Sequence, residues 1–156
     1  MKKLLLMFVV FGLVGCSAKK SLQSFNNSPE KVCIARHDAV KDPVFLEGMV
    51  EGFKQNNTKV RVIQGFYRKE NNMWHPTYLT EETVGCDQVA FYVANWKWDG
   101  VMYLKYANIW IQGLGYQSQI RTGQATYEVS GMYELGLTKF VDSKEKATEL
   151  VNQMYK

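Results

Sequence analysis

The residues of this chain that could carry chemistry are three cysteines, two histidines and a small group of carboxylates. No HExxH, GxSxG or Walker sequence occurs, so the sequence lacks the motifs of metalloproteases, serine hydrolases and phosphate-binding loops. His37 and His75 have no other ligand residues at a metal-binding spacing. The sequence Arg36-His37-Asp38 is more often a solvated loop than a site. We therefore predict no catalytic residues, no metal and no cofactor.

The beginning of the chain is typical of a bacterial export signal. Lys2 and Lys3 form a basic end, and the apolar run that follows, residues 4–13, is too short to be a permanent membrane span. The run closes at residues 13–16, whose sequence LVGC resembles the bacterial lipobox. We therefore predict export and, from the resemblance, lipidation.

The lipobox resemblance implies a lipid anchor on Cys16. Cleavage would fall between Gly15 and Cys16, diacylglycerol would be attached to the cysteine sulfur, and the new amine would be acylated. Ser17, and not Asp, follows the cysteine. In the Gram-negative sorting rule this implies delivery to the outer membrane, with the domain facing the periplasm. An ordinary secretory signal with an incidental cysteine is the alternative.

Composition limits the classes of protein to which this chain can belong. It has 156 residues, of which 46% are apolar and 13% aromatic, which indicates one folded domain and excludes a mainly disordered chain. The net charge of +4 falls to +2 once Lys2 and Lys3 leave with the signal. This charge is too small to indicate a nucleic-acid partner.

Cys33 and Cys86 remain once Cys16 carries lipid. An even number of cysteines in an oxidising compartment favours one disulfide bond. No CxxC spacing occurs, so a thioredoxin-like redox role is not predicted. Two unpaired buried thiols are the alternative.

A strand–helix–strand unit is predicted in the first half of the chain. Residues 32–36 and 59–63 are short apolar strands. Between them, apolar residues recur at three- and four-residue spacing and predict a helix that begins at Pro43, behind the capping residue Asp42. Short connections of this kind join parallel strands.

Three antiparallel strands and a helix are predicted to follow. Residues 89–94 alternate as in a strand, the Asp-Gly pair 99–100 favours a type I′ hairpin turn, and residues 101–112 and 116–129 are the next two strands. Asp142 caps the last helix. The predicted fold class is α+β: a mixed five-stranded sheet with helices packed on it, one of them C-terminal.

The chain divides into three parts by composition. Residues 1–15 are the signal peptide, and residues 16–30 are the lipidated cysteine with a polar segment, predicted to be a flexible tether. Residues 31–156 form a single periplasmic domain.

The connection over residues 64–85 has no clear periodicity, and a connection of this length is usually functional or loose. An irregular hairpin within it is the alternative. Trp74, Tyr78, Tyr67 and His75 lie in it and are the aromatic residues least explained by core packing. Loops on a rigid scaffold often carry recognition, and Trp and Tyr are frequent energetic anchors. We predict that these four residues contact a partner.

Trp96 and Trp98 are a second aromatic group, on one predicted strand face. They could form an aromatic platform for a peptide, a sugar or a partner's apolar side chain. Large aromatic residues mostly supply buried area, so we predict that both rings belong to the core.

The arrangement as a whole resembles small outer-membrane lipoproteins of proteobacteria. The residues that carry the resemblance are the lipobox, the pair Cys33 and Cys86, and the segments 96–99 (WKWD) and 123–127 (GQATY). The resemblance implies an envelope location and supplies no activity.

Three functions compete on the sequence alone. The leading prediction is a lipid-anchored, non-enzymatic envelope module that binds an envelope component or supports assembly. An immunity or exclusion lipoprotein, directed against a toxin or phage protein, is the second. The third is a hydrolase of peptidoglycan or envelope glycans, for which Glu81, Glu82 and Asp87 are the available carboxylates.

Overall fold

Seven strands form one mixed sheet, and two helices pack on it, within the residues that the computed structural model describes: 21–40, 42–115, 120–129 and 141–156. The strands are β1 (Leu22–Gln23), β2 (Lys31–Arg36), β3 (Lys59–Glu70), β4 (Met73–Tyr78), β5 (Gln88–Trp98), β6 (Met102–Gly113) and β7 (Arg121–Glu128), and the helices are α1 (Pro43–Gln55) and α2 (Ser143–Gln153). The strand order is β1-β7-β6-β5-β2-β3-β4. The predicted α+β class is confirmed. None of the described helices is long and apolar enough to cross a membrane.

The predicted strand–helix–strand unit is confirmed. β2 pairs in parallel with β3 on one side and with β5 on the other. α1 begins where Asp42 Oδ1 accepts a hydrogen bond from the Val44 amide at 2.9 Å, with Pro43 in the first turn. It ends before Asn57, which has a φ of 60° and turns the chain into β3.

The antiparallel meander of β5, β6 and β7 is also confirmed, but its first turn differs from the predicted type I′ turn. Trp98 pairs with Met102, so three residues connect the strands, and of these only Gly100 has a positive φ, 77°. Two consecutive positive φ angles, typical of type I′, occur instead at Asn71 and Asn72, between β3 and β4.

The prediction of five strands is wrong in number because both edge strands carry weak signals. β4 contains Pro76, which has no amide to donate and is tolerated at a sheet edge. β1 has only two residues, of which Leu22 lies opposite Ala125. Neither segment shows the alternating pattern from which strands are predicted.

Part of the predicted tether is packed on the domain. The Phe25 amide donates to the Met154 carbonyl at 2.8 Å, and the Phe25 ring lies 4.9 Å from the Tyr155 ring. Phe25 also covers Gly123, where a Cβ atom would come within 2.7 Å of the Phe25 ring. Residues 21–30 therefore belong to the folded domain, and the rest of the predicted tether, residues 16–20, lies outside the described residues.

The main core lies between the helices and one face of the sheet. α2 begins where Asp142 Oδ1 accepts hydrogen bonds from the Lys144 and Glu145 amides at 2.8 and 2.9 Å, which confirms the predicted C-terminal helix and its cap. The Thr148 hydroxyl donates to the Gly48 carbonyl at 2.9 Å and joins α2 to α1. The largest fully buried side chains of this core are Phe45, Phe53, Ile34, Met49, Leu104, Ile109, Ile111, Leu150 and Met154.

The two tryptophans of β5 have different environments. Trp96 packs against the core, edge-to-face with Phe45 at 6.4 Å, and its Nε1 donates to the Ser143 hydroxyl at 3.1 Å. Trp98 is 67% exposed. The prediction that both rings are buried is therefore wrong for Trp98, because β5 continues beyond the core against which Trp96 packs.

Candidate binding cleft on the open face of the sheet

The face of the sheet opposite the helices carries a second, smaller apolar cluster. Its buried members are Cys33, Ala35, Ile63, Cys86, Val89, Phe91 and Trp110. Tyr78, Val93 and Leu114 are half-buried against it. Neither α1 nor α2 covers this face, so its shape is set by the β3–β4 hairpin and by the connection between β4 and β5, which contains a short 3-10 helix, Thr80–Thr83.

The connection between β4 and β5 is fastened at two points. The predicted disulfide between Cys33 and Cys86 is confirmed, with an S–S distance of 2.00 Å and a Cα–Cα distance of 5.8 Å. The Arg61 guanidinium on β3 donates hydrogen bonds to the carbonyl oxygens of Glu82 and Val84, the latter at 2.8 Å. Of the possibilities that the sequence left open for residues 64–85, the hairpin is the one observed: β3 pairs with β4, and a short 3-10 helix, Thr80–Thr83, follows.

A cleft of about 800 Å³ opens above the second cluster, between the β3–β4 hairpin and the middle of the sheet. Phe91 and Trp110 lie opposite each other on β5 and β6, with ring centroids 5.6 Å apart and an interplanar angle of 20°. The Tyr78 ring lies 5.9 Å from Phe91. The three rings form a continuous aromatic floor, of which Tyr78 is the accessible part.

Polar side chains form the rim of the cleft. The Arg121 guanidinium lies 5.8 Å from the centre of the Trp110 ring, a cation–π contact, and donates to the Gln124 amide oxygen at 2.7 Å. Gln124 in turn donates to Asn108 Oδ1 at 3.2 Å, and the Thr126 hydroxyl donates to the same oxygen at 3.0 Å. The neighbouring surface of β6 and β7 is therefore a row of hydrogen-bonding groups.

Two of the four predicted contact residues line this cleft. Tyr78 and His75 face it from β4, and burial raises the pKa of the Tyr78 hydroxyl. Trp74 lies on β4 opposite Lys69, and its side chain is outside the described part of the structure. Tyr67 does not line the cleft.

Tyr67 instead packs on His37, with ring centroids 3.9 Å apart. His37 Nδ1 accepts a hydrogen bond from the Ala39 amide at 3.0 Å. Burial lowers the pKa of His37, and the neighbouring Asp38 carboxylate opposes this only in part. Asp38 also lies 3.6 Å from the Arg36 guanidinium. These side chains bind one another, as expected for a structured loop.

Two of the three carboxylates considered for hydrolysis, Glu82 and Asp87, have structural roles. The Glu82 carboxylate accepts a hydrogen bond from the Gln64 amide at 2.8 Å. Asp87 accepts from two backbone amides, that of Lys31 at 2.8 Å being the nearer. Glu81 is exposed and does not line the cleft. Among the described residues, no group of three or more His, Cys, Asp or Glu side chains could hold a metal ion.

The floor and rim residues Phe91, Trp110 and Arg121 were missed by sequence reasoning. A signal existed in the alternation along β5, because Phe91 shares a strand face with Val89 and not with Ala90 or Tyr92. Placing Trp110 beside Phe91 requires the register of β5 with β6, which the sequence does not reveal.

Comparison with known proteins extends the description of the fold. No protein-family model and no curated protein matches the chain. Solved structures that share its fold include two of PelC. One is a dodecamer of a point variant of PelC from Paraburkholderia phytofirmans, with 10% sequence identity, coverage of 88% of this chain and 95% of that chain, and a TM-score of 0.54. The other is a PelC dodecamer from the same organism, with 10% identity, coverage of 88% and 94%, and a TM-score of 0.51. At this identity the likeness shows the fold alone.

Proposed function

We propose that this protein is a lipid-anchored, non-enzymatic module of the cell envelope that binds another envelope component through the cleft above Phe91 and Trp110. The observation that carries the proposal is the cleft itself. It combines an accessible tyrosine and a guanidinium, beside the row of hydrogen-bonding side chains on β6 and β7, with walls that are held by a disulfide bond and by Arg61. Walls fixed before binding reduce the entropy lost when a partner docks.

The proposed anchor is the diacylglycerol on Cys16. Its support is the sequence of residues 13–16 and the basic, apolar segment that precedes it. The disulfide between Cys33 and Cys86 supports export to an oxidising compartment, since such bonds are rare in the cytosol. Ser17 supports the outer membrane as the destination.

The proposed partner is a protein or another macromolecule of the envelope. Both fold neighbours are dodecamers, which supports a protein partner and makes further copies of this chain one candidate. The roles of Glu82 and Asp87 in holding backbone amides support binding without catalysis.

Site-specific photo-crosslinking in cells tests the proposed binding surface. A photoreactive amino acid in place of His75, which is exposed on the edge strand and lines the cleft, should leave the fold intact. We expect irradiation to give a discrete crosslinked product. Mass spectrometry of that product separates an envelope component or a further copy from a toxin or phage protein, and the latter would favour the immunity role.

The matched control is the same photoreactive residue in place of Lys54. This residue is exposed on α1, on the side of the sheet opposite the cleft. Equal crosslinking from both positions, or crosslinking from position 54 alone, would show that the cleft is not the binding surface.

A further inference from the structure

The tip of the β5–β6 hairpin presents two large apolar side chains to solvent. Trp98 and Met102 lie opposite each other in the register and are 67% and 60% exposed. The turn between them is closed by a hydrogen bond from the Asp99 amide to the Val101 carbonyl at 3.1 Å, with Gly100 in the left-handed region. The tip is therefore an ordered element that ends in exposed apolar area.

Core packing does not explain the presence of these two apolar side chains at the hairpin tip. Trp96, two residues earlier, is held by Phe45 and by the Ser143 hydroxyl. Trp98 has the same strand parity as Trp96 but lies beyond these contacts. An indole at the end of a projecting hairpin contributes little to folding, so its contact is to be sought outside the domain.

The direction of the N-terminal segment identifies that contact. Ser21 is held beside Thr126: its hydroxyl donates to the Thr126 hydroxyl at 2.8 Å, and its carbonyl accepts from the Thr126 amide at 2.9 Å. Because β1 is antiparallel to β7, the chain followed from Gln23 back to Ser21 runs toward the Glu128 end of β7. Glu128 lies beside Tyr106, near the start of β6, and this is the end of the sheet that carries the hairpin tip.

Two lengths along this direction are similar: the extended span from Ser21 to Cys16 and the distance along β6 from the level of Ser21 to the hairpin tip. Cys16 precedes Ser21 by five residues, which span at most about 18 Å. Thr126 lies opposite Asn108, and the six residues from Asn108 back to Met102 cover about 20 Å of strand. A lipid on Cys16 is therefore within reach of the level of the hairpin tip when the intervening residues are extended.

We infer that the hairpin tip is a second membrane contact, with Trp98 and Met102 inserted at the interface of the bilayer that holds the Cys16 lipid. This inference rests on the proposed lipid anchor. Tryptophan suits such a site because its ring is apolar while its N–H remains hydrated, and it is enriched at membrane interfaces. Lys19 and Lys20, between the anchor and Ser21, add attraction to anionic headgroups.

This contact orients the cleft. Phe91, in the cleft floor, lies seven residues before Trp98 on β5, or about 24 Å along the strand. Two attachment points on one end of the sheet hold the cleft away from the bilayer, where a partner in the periplasm can reach it. A lipid alone would leave the domain free to rotate.

Tryptophan quenching by brominated lipids tests the inference. The lipidated protein is reconstituted in phosphatidylethanolamine–phosphatidylglycerol vesicles that include lipids brominated near the headgroup. We expect the fluorescence of the wild-type protein to be quenched and the Trp98→Phe variant to lose most of that quenching. Trp110→Phe, which removes the indole of the cleft floor, is the matched control and should keep it.

Flotation of the same vesicles and the intact mass of the protein distinguish a failure of this inference from a failure of the proposed lipid anchor. Protein that carries acyl mass and floats but shows no quenching, or equal quenching in wild type and Trp98→Phe, would overturn this inference and leave the anchor standing. Protein without acyl mass that does not float would remove the anchor and this inference together. A detergent-solubilised oligomer that dissociates on Trp98→Ala, together with absent quenching, would assign the tip to a second copy and contradict the membrane contact.

Discussion

Single residues set the walls of the open face. The Cys33–Cys86 bond joins β2 to the end of the β4–β5 connection, and Arg61 holds the preceding turn through two carbonyl oxygens. Both partners of the bond could be predicted, because only two cysteines remain once Cys16 is assigned to the predicted lipid. The stacking of Phe91 on Trp110 could not, because it depends on a register that residues distant in sequence create together.

Reduction of the Cys33–Cys86 bond should destabilise the domain. The bond closes a loop with a sequence separation of 53. Releasing a loop of this length should lower the free energy of unfolding by about 4 kcal/mol on the chain-entropy estimate. Urea denaturation with and without a reductant measures the change.

The double variant Cys33→Ser/Cys86→Ser is the control for the reductant, whose addition should leave its unfolding midpoint unchanged. Alkylation of two thiols in the unreduced, unfolded wild-type protein would show that the bond does not form.

At the scale of elements, local signals predicted the unit β2–α1–β3, the meander and α2, because Asp42, the Asp-Gly pair and Asp142 each mark a boundary. The edge strands were missed for a physical reason. β1 and β4 are stabilised by one neighbouring strand each, and their residues bury too little area to leave a pattern. The packing of α1 against α2 depends on a close approach of the two helices, which also leaves no pattern in the sequence.

Gly48 is a point at which α1 and α2 approach closely. A Cβ atom there would lie 2.8 Å from the Ala147 Cβ and would also meet the Lys144 carbonyl oxygen. Gly48→Ala should therefore lower the free energy of unfolding by about 1–3 kcal/mol, as overpacking does. The higher helix propensity of alanine alone would raise the free energy of unfolding by about 0.5–1 kcal/mol. The sign of the measured change therefore distinguishes overpacking from helix propensity.

Glu47→Ala, at the exposed neighbouring position of the same helix, should change the unfolding midpoint little in urea titrations. Stabilisation by Gly48→Ala would mean that the two helices do not pack as closely as described.

At the scale of the whole molecule, the two proposed contact surfaces lie at different positions along the same strands. The hairpin tip is at one end of β5 and β6, and the aromatic cleft lies farther along them. The sequence alone predicted the anchor and the fold class but treated residues 16–30 as a flexible spacer. Packing of Phe25 against Gly123 and Tyr155 shows that residues 21–30 belong to the folded domain, so the segment between the proposed lipid and the domain is shorter than the sequence predicted.

The intact mass of the protein extracted from the outer-membrane fraction tests the lipid anchor most directly. The expected mass is that of residues 16–156 plus a diacylglycerol and an additional acyl chain, and a palmitate analogue should label the protein. Cys16→Ser should abolish both the added mass and the labelling, while Cys33→Ser/Cys86→Ser should retain them. A wild-type protein that keeps residues 1–15, or that begins elsewhere and carries no acyl mass, would contradict the lipid-anchored function.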